Sequence, residues 1–176
     1  TQHFPYLHVD NKPLSFLCED KINIGLLTRT RRGASDEGHR SIELSKFKGV
    51  FNKQKHNIIS LDYFASEDSS DLLSDAWSLP LPNDIIDVHP EINDFVDTAN
   101  IIQNLDLVVC VDTIVAHLGG SLGIKVFLCL PAVPGWRWDL NYPTTTPWYP
   151  TIQLFRQPIF NDWNSVIKSI ANELEK

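Results

Sequence analysis

Residues 106–139, DLVVCVDTIVAHLGGSLGIKVFLCLPAVPGWRWD, constrain the fold more than any other part of the chain. An apolar, β-branched run from Leu107 to Val111 ends abruptly at Asp112-Thr113. A helical segment from Thr113 to Leu122 follows, carrying His117 and the pair Gly119-Gly120. A second apolar run, Val126 to Leu130, stops at Pro131. This reads as strand, helix, strand. A strand that is apolar on both faces has to be covered on both faces, which a parallel sheet flanked by helices achieves. In open sheets of this kind ligands bind beyond the carboxyl ends of the strands. Asp112-Thr113 and the Pro131–Trp138 loop fall at that edge.

The rest of the chain alternates in the same way. Residues 1–21 are polar, hold Pro5 and Pro13, and read as a linker or interdomain strap. Strands are expected at Ile22–Thr28, Asn57–Leu61, Ile85–Val88 and Ile152–Phe155. Ser41 opens an expected helix with apolar positions Ile42, Leu44, Phe47, Val50 and Phe51, although the acidic third residue of a capping box is missing. Residues 66–84 are acidic and Ser-rich, with room for one short helix and a loop. Asp97-Thr98 is expected to cap a helix through Asn104 that buries Phe95, Ala99, Ile102 and Leu105. Asp162 is expected to cap a final helix with Trp163, Val166, Ile167, Ile170, Ala171 and Leu174 at helical spacing. Alternating strands and helices predict an α/β doubly wound parallel sheet over 22–176.

Charge and cysteine usage narrow the partners. The net charge of −7 argues against general nucleic-acid or anionic-membrane binding, both of which need a basic surface. No apolar run approaches the ~20 residues of a membrane span. Cys18, Cys110 and Cys129 form no C-x-x-C pair, and two lie inside apolar strands. They read as small buried hydrophobes in a reducing cytosol rather than as zinc ligands or a disulfide framework. A chain that opens on Thr1 and lacks methionine reads as a trimmed or excised domain.

Several groups at the carboxyl edge could carry chemistry. Arg29, Arg31, Arg32 and Arg40 crowd into one Gly-containing loop after the first strand. Arginines match phosphate oxygens in pairs of hydrogen bonds, so a pyrophosphate clamp is one reading. A solvated loop paired with Asp36 and Glu37 is the other. Thr113 opens a helix whose N–H groups suit an anion. Asp112 repels phosphate, so it suits sugar hydroxyls or simple capping. His117 lies one turn beyond Thr113 on the same helix face, either as a ligand contact or as a structural histidine. Trp136, Arg137 and Trp138 offer a surface for stacking a base or sugar, or a loop folded on its own indoles. Pro147-Trp148-Tyr149-Pro150 is open in the same way. Gly119 and Gly120 suit close packing of helix on sheet, or approach of a ligand. There is no G-x-S-x-G, no H-E-x-x-H, no phosphate-binding G-x-x-x-x-G-K-[ST] and no Asp-x-Asp.

The run Asp112-Thr113-x-x-Ala116-His117-Leu118-x-Gly120-x-Leu122-Gly123 resembles the C-terminal, donor-binding half of the heptosyltransferase family, which are two-domain GT-B-type glycosyltransferases. Wording similar to Pro134-Gly135-Trp136-Arg137-Trp138, Pro147-Trp148-Tyr149-Pro150, Leu154-Phe155-Arg156-Gln157 and Asp162-Trp163 recurs in bacterial relatives that attach this module to tetratricopeptide repeats. The resemblance is dense after Asp97. It implies one Rossmann-like GT-B half that binds a nucleotide-diphosphate sugar without metal or other cofactor and passes the sugar to an acceptor hydroxyl. It favours donor contacts from Arg40, Asp112 and His117, and with the residue types at the carboxyl edge the expected donor contacts are Thr28, Arg29, Arg40, Asp112, Thr113, His117, Trp136 and Arg137. The general base would come from an N-terminal half, so this half carries no catalytic residue of its own, and a missing half or a repeat array would be the partner. Two other readings compete with the enzyme: a module that senses a nucleotide or nucleotide sugar without transfer, and a degenerate scaffold kept for protein interaction.

Overall fold

The computed structural model describes residues 4–30, 37–62 and 84–176. Six strands form one sheet: β1 (Ile22–Leu27), β2 (His56–Ser60), β3 (Ile85–Asp87), β4 (Leu107–Val111), β5 (Val126–Leu130) and β6 (Ile152–Arg156). Four helices accompany them: α1 (Glu37–Arg40), α2 (Phe95–Gln103), α3 (Ile114–Leu122) and α4 (Trp163–Leu174). The strand order is β3-β2-β1-β4-β5-β6, and every pairing is parallel. This is the Rossmann-like order, in which the direction of winding reverses between β1 and β4.

The centre of the sheet follows from hydrophobicity. Every residue of β4 and of β5 is buried, so both faces of these strands are covered. Their bounds coincide with the two apolar runs of the sequence. α2 and α3 pack side by side, α3 lies on β4 and β5, and α4 lies on β6 beside a 3-10 turn at Leu44–Phe47. α3 approaches β5 closely because Gly119 has no side chain: a Cβ there would stand 2.8 Å from Val126 Cγ2. α3 ends on Gly123, whose φ of 80° is the left-handed cap that glycine adopts without strain. Buried Cys110 and Cys129 sit in this core, and burial pushes both thiols far above their usual range, so neither is reactive.

Three local expectations are corrected. The helix expected from Ser41 is a 3-10 turn at Leu44–Phe47 instead. Ile42 N–H bonds the Thr28 carbonyl (2.8 Å) and Ser41 Oγ takes the Thr30 N–H (3.1 Å), and these long-range bonds hold the chain extended where a helix would start. α2 begins one turn earlier than expected. Asp94 is its cap, accepting from the N–H groups of Val96 and Asp97, while Asp97 reaches back to Asn93. That shift puts Phe95 at the first helical position, where it is 65% exposed and not buried. The segment expected at 66–84 lies outside the described residues up to position 83.

Residues 4–21 lie along the same body. Tyr6 and Leu7 N–H groups both bond Ser121 O (3.2 Å), Lys12 N–H bonds Asn100 Oδ1 (2.9 Å), and Leu7, Val9, Leu14, Phe16 and Leu17 pack against the core. Among the described residues no helix is long and apolar enough to cross a membrane.

Phe127, fully buried in β5 against Phe155 at 4.9 Å between rings, tests the core. Phe127→Ala should lower unfolding free energy by about 3–5 kcal/mol, read from urea unfolding; a loss under ~1 kcal/mol would mean that the centre of the sheet is not close-packed.

Candidate functional site

The winding reversal leaves a crevice where the chain leaves β1 and β4, and charged side chains hold both exits. At the β1 exit Thr28 is 1% exposed. Its N–H and its hydroxyl both bond the Asp62 carboxylate, at 3.1 and 2.9 Å, and the Arg29 N–H bonds Asp62 Oδ1 at 3.0 Å. Asp62 stands just past the end of β2 and is itself buried. Burial pushes its carboxyl above the usual range, and the Arg29 charge and the Thr28 and Arg29 donors only partly offset that.

At the β4 exit Arg40, the last residue of α1, reaches across the crevice. Its Nη1 donates to the Asp112 carbonyl (3.1 Å) and stands 3.7 Å from Asp112 Oδ2. Thr113 then takes an extended conformation, and its hydroxyl accepts the Val115 N–H at 3.3 Å, which starts α3. The first-turn N–H groups of α3 therefore open at the same place as the Arg40 guanidinium. The loop after β5 closes on it: a Cβ added to Gly135 would be 3.7 Å from Asp112 Oδ2.

His117 occupies the next turn of α3. Its ring stacks on Trp138, with 5.3 Å between centroids and 21° between planes. Its Nδ1 is 3.0 Å from the Tyr149 hydroxyl. Burial lowers the His117 pKa; the Asp112 carboxylate opposes this and Arg137 adds to it. The imidazole is therefore neutral at pH 7, and Asp112 and Arg137 are the charges that act on it. Arg137 lies over the Trp136 ring at 4.8 Å, and Trp136 is 77% exposed. The Trp148 indole N–H donates to the Arg137 carbonyl at 3.0 Å and ties the two aromatic loops together.

Of the residues singled out in the sequence, Arg40, Asp112, Thr113, His117 and Arg137 thus gather around the start of α3. Trp136 stands on its exposed rim. Thr28 and Arg29 line the neighbouring strand exit, with the Thr28 hydroxyl turned to Asp62. Arg31 and Arg32 lie outside the described residues. Nothing in the sequence marks Asp62, and Tyr149 stands out there only as part of Pro147-Trp148-Tyr149-Pro150 with no link to His117, because each acts on a residue more than thirty positions away.

Neither a family model nor a curated protein matches the chain. Among solved structures it is similar to the glycosyl transferase family 9 protein from Veillonella parvula DSM 2008, at 12% identity and a TM-score of 0.58, over 90% of this chain and 46% of that one. The chain shares the Rossmann-like fold of a glycosyltransferase. It is also similar to the wall teichoic acid polymerase TagF, H444N variant, at 19% identity and a TM-score of 0.46, over 91% of this chain and 35% of that one. The chain spans less than half the length of either structure.

Asp62 gives this edge a pH signature. Its pKa in the folded chain lies above the reference value of 3.8, so the folded state holds the extra proton. The Asp62 contribution to stability is then greatest in acid and declines as pH rises through the folded pKa. Asp62→Asn removes that titration. The stability of wild type minus that of Asp62→Asn, from urea midpoints between about pH 4 and pH 7, should fall with rising pH; a difference that grows with pH would contradict the burial argument.

Proposed function

We propose that this chain is the nucleotide-sugar-binding half of a heptosyltransferase-like GT-B glycosyltransferase, working in the cytoplasm beside an acceptor-binding half or a tetratricopeptide array. One observation carries the reading. Arg40 meets Asp112 and the start of α3 at the winding reversal, the place where open α/β sheets take their ligands. The fold shared with a protein described as a glycosyl transferase family 9 member supports it.

Each residue has a chemical role in this reading. The donor's diphosphate sits on the first-turn N–H groups of α3 and on the guanidinium of Arg40. Asp112, a poor neighbour for phosphate, accepts hydrogen bonds from sugar hydroxyls. Neutral His117 donates one hydrogen bond to a diphosphate oxygen without adding charge. Trp136 and Arg137 offer a face on which the base stacks. Thr28 and Arg29, at the neighbouring strand exit, are further donor contacts in this reading. An acceptor hydroxyl oxygen attacks the sugar C1, the bond from C1 to the phosphate oxygen breaks, and its electron pair leaves on the diphosphate. The hydroxyl proton goes to a base on the acceptor half. The contribution of this half is to stabilise the departing anion, a large term in group transfer.

Titration calorimetry with UDP, GDP and ADP tests the reading. At least one should bind, and Arg40→Ala should weaken it about tenfold to a hundredfold, the value of a hydrogen bond to a charged group. An exposed substitution on α4, Lys168→Ala, serves as the control and should leave affinity unchanged. Equal affinities for wild type and Arg40→Ala would remove Arg40 from the site. No binding of any diphosphate would favour an interaction scaffold.

A further inference from the structure

Gly120 and Tyr149 have no place in the chemistry above, yet they are built around His117. A Cβ on Gly120 would stand 2.5 Å from Tyr149 Cγ and 2.9 Å from Ile152 Cδ1. The bare backbone of α3 at this point is thus the notch in which the Tyr149 ring lies. From there the Tyr149 hydroxyl reaches His117 Nδ1 at 3.0 Å, one helical turn nearer the crevice. One further contact holds the ring in place: Tyr6 stacks on it at 6.4 Å between centroids and 27° between planes, and the Tyr6 hydroxyl lies 3.0 Å from Ser121 Oγ. Trp138 covers the face of the imidazole.

We propose that Tyr149 is a positioning residue: seated in the Gly120 notch, its hydroxyl donates to His117 Nδ1 and fixes the imidazole with its proton on Nε2, so that Nε2–H is the group offered to a bound anion. The direction of the bond follows from acid–base strength. A phenol is a stronger acid than a neutral imidazole N–H, and an imidazole nitrogen is a stronger base than a phenol oxygen, so the pair settles as O–H···N. Burial, with the Tyr6 hydroxyl beside it, pushes the Tyr149 pKa up to about 12, so the phenol keeps its proton over the working range. With Nδ1 occupied as an acceptor, Nε2 carries the hydrogen, and among the described residues it has no hydrogen-bond partner of its own. A histidine with no such partner would divide its population between two tautomers, one of which turns a lone pair toward the ligand and repels it.

The part of the inference that concerns ligand binding rests on the proposed anion site, whereas the tautomer does not, so the two are tested separately. Two-bond nitrogen–proton spectra of the whole chain at about pH 8, with the His117 signals assigned through His117→Gln, read which ring nitrogen bears the proton. Wild type should show a single Nε2–H form with Nδ1 shifted as a hydrogen-bond acceptor. Tyr149→Phe keeps the ring and loses only the hydroxyl; it should move the Nδ1 signal and let the Nδ1–H form appear. Gly120→Ala, which displaces the ring, should reproduce that change. A wild-type Nδ1–H form, or His117 nitrogen signals unmoved by Tyr149→Phe, would overturn the proposal. Tyr149→Phe should also weaken whichever nucleoside diphosphate binds wild type by roughly twofold to tenfold, the value of one neutral hydrogen bond. Absence of diphosphate binding in wild type would sink the donor reading and leave the tautomer result to decide this one.

Discussion

Burial of β4 on both faces is the constraint from which the rest follows. A strand with no solvent face needs parallel neighbours and helices on either side, and here it has β1 on one edge and β5 on the other. The chain winds outward from these two central strands in opposite directions. The chain leaves the carboxyl ends of β1 and β4 in opposite directions, so the backbone groups that emerge there find partners from elsewhere. The structure supplies them in complementary form. Asp62, a carboxylate, collects the N–H groups of Thr28 and Arg29; Arg40, a guanidinium, takes the carbonyl of Asp112. The crevice is thus framed by charge because the topology exposes peptide groups there, and a ligand inherits that frame.

Aromatic packing then fixes what the charges leave loose. The proline-rich segment between β5 and β6 reads in isolation as an irregular loop. In place, Trp138 is 1% exposed beneath His117, while Trp136 only two positions earlier is 77% exposed. That contrast divides the segment into a buried anchor and an exposed rim. The anchor orients a titratable ring and the rim meets solvent. The same segment brings Tyr149 back to α3, so the start of β6 and the second turn of α3 are held by one phenol–imidazole pair.

Sheet centre and helix starts were legible in the sequence where a single local signal operates. Leu107–Val111 and Val126–Leu130 are short, wholly apolar and bounded by Asp112 and Pro131, and no other element fits them. Asp162 and Thr113 cap their helices where the sequence places the helix starts. The start of α2 is ambiguous in the sequence because Asp94 and Asp97 both suit a cap, and it is the Asp94 carboxylate that takes the Val96 and Asp97 N–H groups. Residues 41–51 carry helical spacing, yet the Ile42–Thr28 and Thr30–Ser41 bonds override it; propensity yields to tertiary hydrogen bonds. At the candidate site Arg40, Asp112 and His117 could be named from residue type and expected position. Asp62 could not, since its partner Thr28 is 34 positions away, and Tyr149 could be named only as part of its aromatic motif, since the pairing with His117 spans 32 positions. Periodicity carries no trace of such distances.

Net charge and local charge point opposite ways in this chain, and the difference matters for binding. At physiological salt, charges beyond about 8 Å are screened, so the −7 total scarcely acts on a ligand already seated in the crevice. What acts there is the nearest shell: the guanidinium groups of Arg40 and Arg137, the dipole of α3, the neutral ring of His117, and the opposing Asp112 carboxylate. Arg40 and Asp112 largely cancel each other before any ligand arrives. Their 3.7 Å separation is an ion pair that falls short of a hydrogen bond, while Arg40 Nη1 donates to the Asp112 carbonyl at 3.1 Å. In the proposed donor-binding reading Asp112 accepts sugar hydroxyls beside the Arg40 guanidinium, so that reading calls for a ligand with an anionic part next to a polyhydroxylated part.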